Sequence, residues 1–269
     1  MKKLLAAAVA ALFALSLAGC GTPAASASTA ETAGQPVELV VFAAASLTET
    51  LTEIADTYEA AHPGVTLTFN FDSSGTLKTQ VEEGAACDVF LSAAEKQLDQ
   101  LEDLGLVDTA TRLDLLENRV TLCVPEGNPA AIQGFDDLAG RLAAGDVLLA
   151  MGNSDVPVGQ YTQKIFAHYG LDEGALASAG VLTYGTNVKE VTAQVAQGSV
   201  DCGIVYATDA YSAGLTVVDT ATAELCGQVL YPGAVLAGSA HPDEAAAFLD
   251  YLSTPEAMKI FASVGFSAP

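Results

Sequence analysis

Polar residues and small residues follow the apolar runs of this sequence at several strand-to-helix junctions, where they can hold an anion. Two junctions carry serines, at Ser46 and at Ser73-Ser74, and a third, at 206–208, carries the hydroxyls of a tyrosine and a threonine. Two more, at 156–159 and 186–188, offer the backbone N–H groups of a first helical turn. Such N–H groups have no partner within the helix and lie at the positive end of its dipole. The chemistry indicated is anion binding by neutral donors.

Each junction taken alone has a simpler interpretation. A serine in front of a helix caps that helix far more often than it binds a ligand. Ser46 has Glu49 three residues on, and Asn187 has Glu190 three residues on, which is the spacing of a capping box. We therefore expect Ser46 and Asn187 to cap helices. An anion site follows only if the junctions converge on one cleft.

Alternating strands and helices must position these junctions. After a first strand that opens the segment 37–50, the predicted strands are residues 65–71, 87–91, 119–124, 147–151, 181–184, 202–206, 215–218 and 229–236. The chain ends in two predicted helices, 242–252 and 255–264. Strands that alternate with helices favour an α/β fold whose mostly parallel sheets are covered on both faces.

The alternating pattern restarts about halfway along the chain, which predicts two α/β domains joined by two crossing strands. We expect residues 37–120 and 233–269 to form the first domain and residues 121–232 the second. Ligands of open α/β sheets lie outside the C-terminal ends of the strands. The five junctions would then face one cleft between the domains.

The first 36 residues are predicted to lie outside the fold. Residues 1–19 have the basic start and short apolar run of a signal peptide. They end in Leu-Ala-Gly before Cys20, which resembles the lipobox of bacterial lipoproteins and implies cleavage and lipid attachment at Cys20. An ordinary signal peptide with an incidental cysteine is the alternative. Residues 20–36 are rich in Ala, Ser, Thr and Gly, which is typical of a flexible tether.

Charge and composition exclude several classes of partner. The formal net charge is −23, from 33 acidic and 10 basic residues, which argues against binding to nucleic acid or to anionic lipid. An anion site in such a chain must consist of short-range donors. Four cysteines follow Cys20, and they form either disulfides, in one of three pairings, or buried free thiols: Cys87, Cys123, Cys202 and Cys226.

Catalysis has little support in the sequence. The three histidines, His62, His168 and His241, have no serine, cysteine or metal-ligand partner at a motif spacing. Nucleophile-elbow, zinc-protease and P-loop motifs are absent from the sequence. We therefore expect no enzyme, no metal site and no cofactor.

Motifs throughout the chain resemble one family. They run in family order over essentially all of residues 37–269, as VFAAASLTETL at 41–51, SSGTL at 73–77, GAACDVFLSA at 84–93, VPVGQYT at 156–162, GTNVKEV at 185–191, GIVYATDA at 203–210 and VGF at 264–266. The chain resembles the molybdate-binding proteins of bacterial ABC importers. That resemblance implies the two-domain type II periplasmic-binding-protein fold.

The resemblance also implies the site. In that family two serine hydroxyls, a tyrosine hydroxyl and backbone N–H groups hold a tetrahedral dianion without any cation. By motif, the contacts in this sequence would be Ser46, Ser74, Val158, Val188 and Tyr206. Gly75 stands where the family more usually has serine or threonine, so Ser73 is an alternative to Ser74.

The resulting prediction is a monomeric solute-binding lipoprotein outside the cytoplasm, anchored to the cell membrane through Cys20. It would capture molybdate or tungstate by closure of its domains and deliver the anion to an ABC permease. The sequence does not separate molybdate from tungstate. The alternatives are a receptor for sulfate, thiosulfate or another oxyanion and, from a different class, a lipoprotein enzyme.

Overall fold

Ten strands and eleven α-helices alternate along residues 36–269, the part of the chain that the computed structural model describes. The strands are β1 (Val37–Ala44), β2 (Val65–Asp72), β3 (Val89–Leu91), β4 (Leu113–Asn118), β5 (Val120–Val124), β6 (Leu149–Gly152), β7 (Leu182–Gly185), β8 (Cys202–Tyr206), β9 (Thr216–Thr220) and β10 (Val229–Val235). The helices are α1 (Thr48–Ala61), α2 (Ser74–Glu82), α3 (Glu95–Asp103), α4 (Phe135–Ala144), α5 (Pro157–His168), α6 (Glu173–Ser178), α7 (Val188–Ala196), α8 (Ala207–Ser212), α9 (Ala223–Cys226), α10 (Pro242–Leu252) and α11 (Pro255–Val264).

The strands form two five-stranded sheets with the same arrangement. The order is β2-β1-β3-β10-β4 in the first sheet and β7-β6-β8-β5-β9 in the second. One strand in each sheet, β10 or β5, is antiparallel to both of its neighbours, so four of the five strands run in one direction. This arrangement confirms the predicted α/β fold with mostly parallel sheets.

The burial pattern explains why these segments form these elements. Strand β8, with the sequence CGIVY, is buried throughout, as expected of a strand covered on both faces. Helix α1 buries Leu51, Ile54 and Tyr58, which recur at the helical period, and leaves its opposite face to solvent. Helices α10 and α11 begin at a proline and have the bounds that the sequence predicted.

The chain passes between the sheets twice. Only Arg119 separates β4 of the first sheet from β5 of the second, and the chain returns between β9 and β10. We call the first sheet with α1–α3, α10 and α11 the first lobe, and the second sheet with α4–α9 the second lobe. The finer domain boundaries, 37–120 with 233–269 and 121–232, stay a prediction.

Three elements were not predicted: β4, α6 and α9. The β4 sequence LDLLEN has three polar residues among six, so its alternation is weak, and its extended form depends on pairing with β10. Helices α6 and α9 have six and four residues, too few to show a helical period. Tertiary contacts, rather than local pattern, decide these segments.

The four cysteines of the described region are buried free thiols. Burial raises the pKa of Cys87 and of Cys123 to about 12 each, so both thiols stay protonated at neutral pH. Of the two interpretations left open by the sequence, the structure therefore shows free thiols.

The expected signal peptide, Cys20 and most of the expected tether lie outside the described residues. Within residues 36–269, no helix combines the length and the apolar character needed to cross a membrane.

Candidate functional site

The C-terminal ends of several strands from both sheets meet at one small pocket. Its lining residues lie at the end of, or after, β1, β2, β3, β6, β7 and β8: Ala44, Ala45, Ser46, Asp72, Ser73, Ser74, Ala93, Val156, Pro157, Val188 and Tyr206. The cavity volume is about 10 Å³ for the centre of a water-sized sphere, close to what one water molecule needs. Of the predicted site residues, Ser46, Ser74, Val188 and Tyr206 line it.

Ser46 reaches the pocket from a single 3₁₀ turn, Ala45–Leu47, between β1 and α1. Its Oγ lies 2.9 Å from the Tyr231 hydroxyl, and its side chain does not cap α1, which begins only at Thr48. The predicted capping box with Glu49 is therefore wrong. The 3₁₀ turn moves the start of the α-helix beyond Ser46, so the spacing no longer matches a cap.

Ser73 and Ser74 have different roles at the start of α2. Ser73 is the N-cap: its Oγ accepts from the Thr76 N–H at 3.1 Å and lies 2.8 Å from the Thr76 hydroxyl. Ser74 is fully buried, and its Oγ accepts from the Ala93 N–H at 3.0 Å. Because Ser74 acts there as an acceptor, its own hydroxyl proton is left for a further partner.

Two helix starts of the second lobe supply backbone donors. Pro157 is the first residue of α5 and Val158 the second; Val158 is fully buried, although it does not itself line the pocket. Val188 is the first residue of α7, whose N-cap Asn187 accepts from the Glu190 N–H at 3.1 Å, as predicted. First-turn N–H groups such as those of Val158 and Val188 have no intrahelical acceptor.

Tyr206 ends β8 and is 1% exposed. Its hydroxyl donates to the Ala93 carbonyl of the first lobe across 3.4 Å, a long hydrogen bond. Burial raises the pKa of Tyr206 well above its usual value, with further contributions from Tyr231 and Tyr161. The phenol therefore stays protonated and can act as a donor at any physiological pH.

Asp72 is a charged lining residue that the sequence did not point to. Its Oδ1 accepts from the Ser73 N–H at 2.7 Å and, more weakly, from Asn187 Nδ2 at 3.4 Å. Asp72 thus adds a charged side chain to a lining for which the sequence predicted only neutral donors. Among the described residues that line the pocket, none is Lys, Arg or His, so donation falls to neutral groups.

Two further polar groups near the pocket were missed by sequence reasoning. Tyr231 on β10 contacts Ser46, and Asn118 at the end of β4 contacts Tyr231 through Nδ2 at 3.2 Å. A tyrosine in an apolar strand was the available signal, because a buried phenol needs a polar partner.

A cation lies close to the pocket but outside its lining. Lys189 of the second lobe lies 2.7 Å from Glu49 of the first lobe and 3.0 Å from the buried Asp209. Burial opposes its charge, but Asp209 and Glu49 outweigh this effect and raise the pKa of Lys189. Within residues 36–269, no cluster of three or more His, Cys, Asp or Glu side chains could hold a metal ion.

Comparison with known proteins shows similarity across nearly the whole described region. Residues 39–267 match the family of bacterial extracellular solute-binding proteins. The chain is 34% identical to the molybdate-binding protein of Escherichia coli, over 86% of this chain and 89% of that protein. It is also 34% identical to a candidate ABC transporter substrate-binding lipoprotein of Bacillus subtilis, over 86% of this chain and 87% of that one. An aconitate isomerase of Pseudomonas sp. is 28% identical, over 89% and 91% respectively.

Solved structures show the same fold. The substrate-binding domain of a candidate molybdenum ABC transporter from Clostridium difficile aligns with a TM-score of 0.65 and 32% identity, over 87% of this chain and 99% of that one. The periplasmic molybdate-binding protein of Azotobacter vinelandii aligns with a TM-score of 0.74 and 21% identity, over 86% and 99%. A sulfate-binding protein of Mycobacterium tuberculosis also aligns, with a TM-score of 0.71 and 21% identity, over 86% and 87%.

Proposed function

The chain belongs to the family of bacterial extracellular solute-binding proteins, and on that premise we propose that it captures molybdate or tungstate between its lobes. The observation that carries the proposal is the convergence of neutral donors on one pocket. The hydroxyls of Ser46, Ser74 and Tyr206 meet there, beside the first residue of α7, Val188. Relatives named as molybdate-binding proteins support the choice of anion.

Neutral donors are sufficient for tight binding. The proposed contacts are three hydroxyls and the backbone N–H groups of Ser46, Ser74, Val158 and Val188, about seven donors in total. A hydrogen bond to a charged group contributes about 1.5–3 kcal/mol. Nanomolar binding needs about 12 kcal/mol, which such a set can reach even after the cost of ordering the site.

Closure of the lobes is the mechanism we propose. Donors from the first lobe, Ser46 and Ser74, face donors from the second, Val188 and Tyr206. An anion that contacts both lobes favours the closed form over the open one, because only the closed form provides every donor. The closed form would then be the state that an ABC permease recognises.

Selectivity in this proposal depends on size and on protonation. The pocket in this structure fits about one water molecule, so the lobes must move apart to admit a tetrahedral anion. Molybdate and tungstate are larger than sulfate, so a cavity that closes at their size would discriminate against sulfate. Hydrogen phosphate carries a proton that needs an acceptor, and Asp72 is the charged acceptor in the lining. Phosphate therefore belongs among the test anions: Asp72 can accept from its P–OH group, so in this proposal only its size, close to that of sulfate, discriminates against it.

Lipid anchoring is the other part of the proposal. Cys20 with the preceding Leu-Ala-Gly is the sequence feature that supports it, together with the Bacillus subtilis relative whose name includes the word lipoprotein. In cells that express the full chain and are fed a labelled fatty acid, the wild type should incorporate the label and Cys20→Ser should not. Equal incorporation of the label by Cys20→Ser would contradict lipid attachment at Cys20.

The direct test is a panel of anions with thermal unfolding as the readout. A ligand at about 1,000 times its dissociation constant stabilises the folded state by about 4 kcal/mol. We expect a large rise in Tm with molybdate and tungstate and little change with sulfate or phosphate. Tyr206→Phe should reduce the rise in Tm with molybdate. Tyr184→Phe is the control and should not reduce it, because Tyr184 is 41% exposed and its hydroxyl donates to Glu173.

Other outcomes of the panel separate the alternatives. A rise with sulfate equal to that with molybdate would favour a sulfate or thiosulfate receptor, which the sulfate-binding structural neighbour keeps open. No rise with molybdate or tungstate would remove the proposed ligand. Turnover of a small polycarboxylate, abolished by one pocket substitution, would instead favour an enzyme such as the isomerase relative.

A further inference from the structure

A buried hydrogen-bond network connects the pocket with the point where the chain crosses between the lobes. Asn118 is the last residue of β4 and is 3% exposed, and Tyr231 on β10 is 1% exposed. Asn118 Nδ2 lies 2.9 Å from Thr208 Oγ1 and 3.2 Å from the Tyr231 hydroxyl. That hydroxyl in turn lies 2.9 Å from Ser46 Oγ, at the pocket.

The direction of these hydrogen bonds follows from the donors available. Asn118 Oδ1 accepts from the backbone N–H of Arg119 at 2.8 Å, which sets the orientation of the amide, so that Nδ2 is the donor to Tyr231. The Tyr231 oxygen accepts from Asn118. The 2.9 Å contact by itself allows either hydroxyl to donate, but among residues 36–269 Ser46 Oγ is the acceptor within hydrogen-bond distance of the single Tyr231 proton. Ser46 thereby keeps its own proton for another acceptor. Within residues 36–269, its hydroxyl has no hydrogen-bond partner besides Tyr231.

Aromatic packing holds the Tyr231 ring in place. Tyr206 packs against it edge-on with ring centroids 5.6 Å apart, and Phe266 does so at 5.2 Å. Phe266 belongs to the Val-Gly-Phe motif at 264–266, for which the sequence suggested no role. Burial raises the pKa of Tyr231 well above its usual value, so the phenol keeps its proton at any physiological pH.

We propose that Tyr231, oriented by Asn118, is a positioning residue that turns the Ser46 hydroxyl proton into the anion pocket. A serine hydroxyl without a hydrogen-bond partner rotates freely. Because Tyr231 donates to Ser46 Oγ, the Ser46 hydroxyl is oriented before the anion arrives. Hydrogen bonds that form a chain also strengthen one another. This inference rests on the proposed function, because it concerns how Ser46 contacts the anion.

A double-mutant cycle tests the role of Tyr231. The dissociation constant for molybdate is measured by calorimetry for the wild type, Tyr231→Phe, Ser46→Ala and the double variant. We expect Tyr231→Phe to weaken binding about three- to tenfold, the equivalent of one net hydrogen bond. In the Ser46→Ala background, Tyr231→Phe should raise the dissociation constant less than about twofold, because the Ser46 hydroxyl that Tyr231 positions is absent.

Tyr58→Phe is the matched control. Tyr58 is also a buried tyrosine of the first lobe, but it packs against Phe248 and Tyr251 and does not line the pocket. Its substitution should leave the molybdate affinity unchanged. If Tyr231→Phe does not fold, Asn118→Leu replaces it in the same cycle, and its cost should likewise disappear in the Ser46→Ala background.

The outcomes separate this inference from the proposed function. Absence of molybdate and tungstate binding by the wild type overturns both. Binding by the wild type with an equal cost of Tyr231→Phe in the presence and absence of the Ser46 hydroxyl overturns the positioning role alone. An unchanged affinity of Ser46→Ala also overturns it, since Tyr231 then has no donor to position.

Discussion

At the scale of single residues, the site is a set of neutral donors whose own hydrogen-bond partners decide what remains free. Ser73 is occupied as a helix cap by Thr76, whereas Ser74 accepts from Ala93 and retains a proton to donate. Tyr206 stays protonated because it is buried. These assignments follow from partners and burial, and they lead to a test that separates the two adjacent serines.

Ser74→Ala and Ser73→Ala should differ in their effect on molybdate affinity. Loss of a hydrogen bond to the charged ligand should weaken binding to Ser74→Ala about tenfold or more. Ser73→Ala should mainly lower the free energy of unfolding, by about 1 kcal/mol, because the α2 cap is lost. Calorimetric titration and urea unfolding measure the two effects. A larger loss of affinity in Ser73→Ala would assign the contact to Ser73.

At the scale of elements, the start of α2 determines how closely the lobes can approach. Gly75 is the second residue of α2, and a Cβ built on it would lie 2.1 Å from the backbone oxygen of Asp155, in the loop before α5 of the second lobe. A backbone oxygen cannot rotate away as a side chain can. A side chain at position 75 therefore requires the lobes to move apart.

Gly75→Ala should weaken molybdate binding without harming the fold. Overpacking of this kind costs about 1–3 kcal/mol, which corresponds to roughly five- to 150-fold in affinity. Gly140→Ala is the matched control, because Gly140 also lies in a helix, α4, and a Cβ there meets nothing within 4 Å. Stability without ligand should not fall in either variant, since alanine favours a helix. Wild-type affinity of Gly75→Ala would show that binding does not need this close approach.

At the scale of the whole molecule, Lys189 forms an ion pair that joins the two lobes. It pairs with Asp209 inside the second lobe and with Glu49 across the cleft. Burial raises the pKa of the Asp209 carboxyl to about 6, although Lys189 opposes the shift. Asp209 is fully buried and Glu49 half-exposed, so the two pairs should contribute very unequally to stability.

Lys189→Met should destabilise the protein by about 3 kcal/mol at pH 7 and by less at pH 5. The pKa of Asp209 is about 6 in the folded state and 3.8 in the unfolded state, so the folded state keeps a proton that the unfolded state releases. The carboxyl therefore stabilises the folded state at low pH, and this contribution is lost as the pH rises through about 6. Without Lys189, the neutral Asp209 at pH 5 avoids an unpaired buried charge.

Urea unfolding of Lys189→Met at both pH values checks this expectation. Glu49→Gln is the control. Its free energy of unfolding should change by less than about 1 kcal/mol, because an exposed ion pair contributes little to stability. An equal loss at pH 5 and pH 7 would show that the Asp209 charge is not what Lys189 neutralises.

Local sequence pattern determined the alternation of strands and helices, the α/β class and the junctions that carry the donors. Apolar periodicity and helix starts are properties of neighbouring residues, so they located the junctions, and the family resemblance then singled out Ser46, Ser74, Val188 and Tyr206 within them. The same reasoning failed at β4, whose strand depends on pairing with β10. It also failed for the Ser46 cap, which a single 3₁₀ turn displaces.

Only the tertiary structure decided which polar groups at the site form hydrogen bonds or ion pairs with one another. Tyr231 is 185 residues from Ser46, Lys189 is 140 residues from Glu49, and Tyr206 reaches Ala93 across the cleft. No local pattern encodes such pairs, because they form when two sheets bring their strand ends together. The sequence thus selected the donors, whereas the packing of the lobes set their direction, their free protons and the space left between them.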